Sequence, residues 1–135
     1  LIKDCGLYKS KAKNLIATCQ ILVDRYHGEV PRKFDQLVEL PGVGRKTANV
    51  VVSVLFGAPA IAVDTHVFRV SNRLKLGIAK TPEEMEQKLQ KAIPKKDWAA
   101  AHHWLIYHGR RLCKARKPLC DECFLNHVCP SAGKV

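Results

Sequence analysis

Four cysteines crowd into one short stretch, at Cys113, Cys120, Cys123 and Cys129, with the spacing C-x6-C-x2-C-x5-C. Nothing else constrains the fold as strongly, because whatever joins the four thiols must close that loop on itself. At 135 residues the chain can hide roughly two-thirds of its unfolded surface and has no need of disulfide staples. Four thiolates this close suit one shared metal centre better than two disulfides. Structural zinc usually takes two close pairs, and only Cys120 and Cys123 form one. An uneven set of four in one loop also wraps an iron–sulfur cubane, so spacing leans towards the cluster and leaves zinc open. Cys5 and Cys19 stand alone and read as buried packing thiols.

Charge supplies the second constraint. Lys and Arg number 23 against 12 Asp and Glu, a net +11. Residues 1–67 carry +3 of it and residues 68–135 carry +8. A polyanion is the obvious partner. Arg110, Arg111, Lys114, Arg116 and Lys117 lie between Gly109 and Cys120 with no acid among them. A loop held rigid by metal would present those cations at fixed spacing, which suits phosphates; a solvated basic surface is the plainer reading. A hydrophobic fraction of 47% excludes a disordered tail. The longest uncharged stretch, residues 47–63, contains Asn49 and is broken by Gly57-Ala58-Pro59, short of the ~20 apolar residues of a membrane span. No signal peptide is expected. The only methionine is Met85, so a fragment or processed piece is expected, forming one domain or two small lobes.

Periodicity predicts an all-α chain. Ser10 is placed to cap a helix with Leu15, Ile16, Cys19, Leu22, Val23 and Tyr26 on one stripe, ending near Gly28. Gly6 reads as the C-cap of an earlier helix. A short helix after Pro31 holds Phe34, Leu37, Val38 and Leu40. The valine-rich run Arg45–Phe56 has strand propensity, but its length and the lack of a second strand-like run favour a buried helix. Asp64 is placed to cap a helix with Val67, Phe68, Ser71 and Leu74. Thr81-Pro82-Glu83-Glu84 is a strong start signal for a helix packing Met85, Leu89, Ala92 and Ile93. A last helix from about Asp97 buries Trp98, Ala101, Leu105 and Ile106, and Gly109 closes it.

Between two of these helices lies Leu40-Pro41-Gly42-Val43-Gly44-Arg45-Lys46-Thr47-Ala48. Pro-Gly-Val-Gly permits a tight reversal, and a helix starting at once aims free backbone N–H groups and its positive end outward. Gly42, Val43, Gly44 and Arg45 therefore form a candidate phosphodiester site, blind to base sequence.

The string LPGVGRKTANVV, then Val63-Asp64-Thr65-His66-Val67-Phe68-Arg69-Val70, then the cysteine loop, resembles the bacterial endonuclease III family of helix–hairpin–helix DNA glycosylases and abasic-site lyases. The resemblance covers essentially the whole chain. It implies a hairpin gripping the DNA backbone, often with a monovalent cation on hairpin carbonyls, and a [4Fe-4S] cluster on Cys113, Cys120, Cys123 and Cys129. It also implies two lobes, a partial six-helix domain over 1–58 and a cluster domain over 59–135, with the active-site cleft between them. Lys46 matches the family's catalytic lysine and Asp64 its catalytic aspartate. Lysine is nucleophilic as the neutral amine and could attack C1′ of a damaged nucleotide, while a carboxylate stabilises positive charge and moves protons. The plainer readings are a phosphate contact for Lys46 and an N-cap for Asp64.

Related adenine-mismatch glycosylases lack the lysine, so Lys46 implies a bifunctional enzyme acting on oxidised pyrimidines in double-stranded DNA. His66 is a candidate DNA contact, against the plainer structural histidine; His102, His103, His108 and His127 receive no role. The implied setting is the bacterial cytoplasm, on the nucleoid, with a monomer when intact. The family's N-terminal part has no counterpart here. Apolar faces on Leu15–Tyr26 and Thr47–Phe56 are therefore expected to lack partners and to favour self-association, and the 135-residue chain alone to be weak or inactive. Two other classes remain: a non-catalytic DNA-binding module, and a zinc-stapled helical interaction module.

Overall fold

The computed structural model describes all 135 residues, Leu1–Val135, and its regular structure is entirely helical. Six α-helices follow in order: α1 Tyr8–Tyr26, α2 Phe34–Val38, α3 Arg45–Phe56, α4 Thr65–Leu74, α5 Pro82–Ala92 and α6 Trp98–Arg111. A single 3₁₀ turn, Lys95–Asp97, leads into α6. The cysteine loop after α6 is built from turns.

The local signals explain most boundaries. Thr81 caps α5 through its hydroxyl, which accepts from Glu84 N at 3.2 Å, with Pro82 at the first helical position. Glu84 reaches back to the N–H of Lys80 rather than of Thr81. The valine-rich run is α3, stopped by Gly57 at φ 64°. β-propensity yields there because no strand exists to pair with.

Five expectations are corrected. Helix α1 starts at Tyr8 behind a left-handed Leu7, and Ser10 lies within it, not at its cap. Gly6 is not left-handed; the turn over residues 3–7 uses Leu7 for that, at φ 59°. Leu40 falls outside α2 yet is buried, because the chain turning towards the hairpin carries it inward. Ala92 is exposed at the end of α5. Gly109 does not end α6: it is buried inside it, and a Cβ there would come 3.0 Å from Val70 Cγ2 and 3.1 Å from His66 Cβ. The missing side chain lets α6 close onto α4.

Two cores form. One gathers Leu37, Leu40, Ala48, Val52 and Ala60; the other gathers Ile61, Val63, Val67, Val70, Met85, Leu89, Ala101 and Leu105. Adjacent residues Ala60 and Ile61 thus belong to different cores, and the segment between α3 and α4 is the seam. Helix α1 buries no residue; Ile16 and Val23 are 72% and 61% exposed, and Val54 and Leu55 on α3 are exposed beside them in kind. The expected unpartnered faces are present. Cys5, in the turn before α1, and Cys19, on α1, are also exposed, against the buried packing expected of them, because no element covers either. No helix is long and apolar enough to cross a membrane.

Candidate active site

The seam brings two helix N-termini to one cleft. Helix α3 begins after Gly44 with no side-chain cap, and Lys46 sits in its first turn. Helix α4 begins after Asp64, whose Oδ1 accepts from the N–H of both His66 and Val67 at 2.8 Å. Lys46, Asp64, His66, Phe68 and Arg110 line a cleft of about 760 Å³. Asp64 is therefore an N-cap, as its plainer reading held, and also a cleft residue: Oδ1 takes both capping bonds and Oδ2 lies outside them.

The hairpin before α3 depends on one glycine for its shape. Gly42 has φ 77°, and a Cβ there would lie 2.6 Å from Asn14 Nδ2. Gly44 has an ordinary φ of −90° and open space where a Cβ would stand. Its lack of a side chain leaves the uncapped first turn accessible to a ligand.

Behind the cleft, Ala60–Val63 is held by a histidine that sequence reasoning left without a role. His102 is buried and its Nδ1 lies 2.8 Å from Ala62 O, to which it donates. Burial, with a smaller push from His103, holds its pKa below the ordinary value, so the ring is neutral. Asp64 follows two residues after the carbonyl it fixes.

The cysteine loop is anchored to α4 by two arginines that sequence reasoning also missed. Arg69 donates to Cys113 O through Nε and Nη2, both at 3.1 Å, and through Nη2 to Gly109 O at 2.9 Å. That same nitrogen is 3.1 Å from His66 Nδ1. Arg73 donates to Lys114 O at 2.7 Å, to Ala115 O at 3.2 Å and to Cys113 Sγ at 3.4 Å. Such charged hydrogen bonds contribute about 1.5–3 kcal/mol each. A chain of contacts thus runs from Asp64 through His66 and Arg69 to Cys113. The i, i+4 spacing of two arginines on α4 was the available signal.

Cys113, Cys120, Cys123 and Cys129 are unpaired and half-buried, and all line one small, largely apolar cavity with Leu74, Leu112 and Leu119. No three His, Cys, Asp or Glu side chains converge where a single ion would sit. Four thiolates around one largely apolar cavity are the donor set that an iron–sulfur cluster takes. His108 joins this wall, with Nε2 3.9 Å from Cys123 Sγ and its ring edge-on to Phe124; burial lowers its pKa.

The structure divides the five cations. Arg110 faces the cleft, Arg111 stacks on Tyr107, and Lys114, Arg116 and Lys117 are exposed on the cysteine loop. Arg45 is engaged elsewhere: Nη2 is 2.9 Å from Glu86 Oε1, and the guanidinium lies 4.9 Å from the Phe34 ring. Glu86 was missed, although an acid three residues before Leu89 on a buried helix face signals a partner.

Residues 1–95 match the family described as HhH-GPD superfamily base excision DNA repair protein, and residues 113–129 match the iron–sulfur binding domain of endonuclease III. An iron–sulfur cofactor goes with that loop. The chain is 57% identical over 128 residues to endonuclease III of Rickettsia conorii, and 52% identical over 134 residues to that of Escherichia coli K12. These matches take in 95% and 99% of this chain but 61% and 64% of the relatives, so the chain spans about three-fifths of their length. Among solved structures, a trapped endonuclease III–DNA covalent intermediate superposes with a TM-score of 0.93 at 54% identity, covering 97% of this chain and 62% of that one. A thermostable thymine-DNA glycosylase superposes at 0.86 and 28% identity, over 99% of this chain and 64% of its own.

Proposed function

This chain belongs to the HhH-GPD superfamily of base excision DNA repair proteins, and from that premise we infer that it carries the reacting groups of a DNA glycosylase with abasic-site lyase activity. One observation carries the reading: Lys46 and Asp64, eighteen residues apart, face one cleft from the starts of two helices that belong to different cores. Lobes over about 1–58 and 59–135 meet there. A nucleophile with a carboxylate and cations around it suits attack on a sugar between two phosphates. The relative trapped as a covalent intermediate with DNA supports a covalent route.

In this reading Lys46 Nζ attacks C1′ of the damaged nucleotide. The C1′–N bond breaks, its electron pair leaves with the base, and the base takes up a proton. The lysine nitrogen's lone pair then opens the C1′–O4′ bond, whose electron pair stays on O4′ and takes up a proton, which gives a protonated imine. Loss of a C2′ proton expels the 3′ phosphate by breaking the C3′–O bond, and water hydrolyses the imine to free Lys46. Asp64 Oδ2 takes the proton from Nζ and stabilises positive charge on the sugar. The uncapped turn at Gly42, Val43 and Gly44, with a monovalent cation on hairpin carbonyls, holds the backbone. Arg110 faces the phosphates at the cleft and Arg111, Lys114, Arg116 and Lys117 lie along the flanking duplex, with His66 at the cleft wall.

Cys113, Cys120, Cys123 and Cys129 hold a [4Fe-4S] cluster, which when bound ties the loop together through four metal–thiolate bonds. The substrate is double-stranded DNA bearing oxidised pyrimidines or abasic sites, met as a monomer on the nucleoid of a bacterial cytoplasm. Borohydride trapping on abasic duplex tests the reading: a covalent adduct is expected, slow to form in a chain of three-fifths of its relatives' length, and Lys46→Gln is expected to remove it while DNA affinity stays. A protein that binds abasic duplex but gives no Lys46-dependent adduct is a binding module instead.

A further inference from the structure

Lys46 lies in the first turn of a helix that nothing local fastens: α3 has no side-chain cap, and the turn before it is a glycine. Its neighbour Arg45 leaves the same turn in another direction. There it is gripped by a carboxylate at 2.9 Å and by the face of Phe34. Resting on the catalytic reading of Lys46, we propose that Arg45 and Glu86 are positioning residues: an ion-paired brace that fixes the first turn of α3, and so sets where the Lys46 amine stands relative to Asp64.

Placement in the fold carries the argument. Ala48 and Val52 root α3 in one core, whereas Met85 and Leu89 root α5 in the other. Asp64 begins α4, which is rooted in that second core through Val67 and Val70. The separation between the two reacting groups therefore depends on how the cores sit against each other at the seam. Of the chain's two ion pairs, Arg25–Glu39 joins α1 to the C-cap of α2, and only Arg45–Glu86 crosses from one core's helices to the other's.

Glu86 makes a firm anchor. It is 7% exposed, stands between the fully buried Met85 and the turn carrying Leu89, and has its Oε1 further supported by Gln90 Nε2 at 3.4 Å. A carboxylate that buried persists only with a partner, so its stake in Arg45 is high. Arg45, half-exposed, gives up some freedom to reach it. A planar guanidinium can hold a carboxylate at its edge and an aromatic ring at its face together, which fixes it in two directions. The pair and Lys46 also line one further pocket, with Gly44, Val63 and Pro82 between them. In this proposal Arg45 serves the brace rather than a DNA phosphate.

The test uses the iron–sulfur-loaded protein in single-turnover trapping on abasic duplex at saturating DNA, with duplex affinity measured across salt in parallel. Glu86→Ala and Arg45→Ala are each expected to slow adduct formation by roughly 10–100-fold, the effect of a displacement of about 1 Å, with Kd and its salt slope unchanged within about twofold. Glu86→Gln, near-isosteric and still an acceptor, is expected to stay within about threefold of wild type and guards against simple misfolding. The swapped Arg45→Glu/Glu86→Arg pair is expected to recover part of the lost rate. If Arg45→Ala instead weakens binding and lowers the salt slope by about one while Glu86→Ala does neither, Arg45 is a phosphate contact and the brace is overturned. Loss of thermal stability in Glu86→Ala with an unchanged rate per folded molecule overturns it too. A wild-type protein that forms no adduct removes the catalytic reading and the brace with it, whereas a wild-type adduct whose rate ignores Glu86→Ala removes the brace alone.

Discussion

The two helix starts that meet at the cleft handle the same electrostatic problem in opposite ways. Helix α3 opens after Gly44, with no side chain on its first N–H groups. Helix α4 opens after Asp64, which takes two of its N–H groups onto one carboxylate oxygen. Both starts carry the partial positive charge of a helix N-terminus. At α3 that charge stays available to an incoming anion; at α4 the protein's own carboxylate meets it. In the proposed reading, a nucleotide between them would meet a donor surface for its phosphate on one side and a fixed negative group for its sugar on the other. The contrast shows how two similar local structures acquire different chemistry from one residue at the cap.

The largest expected effect breaks the α3 side. Lys46→Gln should abolish the borohydride adduct and lower base excision by on the order of 10³-fold or more, with duplex affinity within a few-fold of wild type. On the α4 side, Asp64→Asn separates the carboxylate's two tasks. Asparagine caps as well as aspartate, so the melting temperature should hold while excision falls by ~10²–10⁴. Asp64→Ala should lose the same activity and, in addition, about 0.5–2 kcal/mol of stability.

Smaller effects sharpen the comparison. Gly42→Ala should destabilise by about 1–3 kcal/mol, because φ 77° is strained for alanine and Asn14 blocks the new methyl. Gly44→Ala should fold normally, since its backbone is ordinary and the space is open, but should weaken DNA binding by covering the free first turn. Removing the cluster by oxidation should loosen the loop that carries Lys114, Arg116 and Lys117, and lower the slope of log K against log salt by about 2–3. The hairpin's share of binding should remain.

The smallest effect is the pH dependence from His102. Its folded pKa is lowered from 6.5 by burial, so the unfolded chain binds the proton more readily. Its contribution to stability is complete above pH 6.5 and declines as pH falls below that value towards the folded pKa. Melting temperatures between pH 7 and pH 5 should drop less steeply in His102→Phe than in wild type, from a lower starting point. Self-association of the 135-residue chain, followed by sedimentation, should decrease when Ile16 and Val23 on the open face of α1 are replaced by polar residues.

Much of this was legible in one dimension because it depends on short-range chemistry. The bounds of α3, the Asp64 and Thr81 caps and the grouping of four cysteines in one loop all follow from residues within a turn or two of each other. The misreadings share a cause as well. Glycine usually marks a helix end, but Gly109 serves a contact with Val70 and His66, some forty residues away. Cysteine is usually buried, yet burial needs a neighbouring element, and neither the turn that holds Cys5 nor α1 at Cys19 has one. Glu86, His102, Arg69 and Arg73 were passed over for the same reason: each does its work on a partner distant in sequence.

The sequence by itself determined the helices, the hairpin, the basic surplus and the family, because capping, periodicity and motif spacing are local and additive. Tertiary structure alone decided that Lys46 and Asp64 share a cleft, that Arg45 turns to Glu86 while Arg110 turns to the cleft, and that the four thiols line one cavity. Those outcomes depend on how two separately rooted cores meet at the seam between Ala60 and Ile61. That geometry is set by side-chain packing across the whole chain, which no short window of residues encodes.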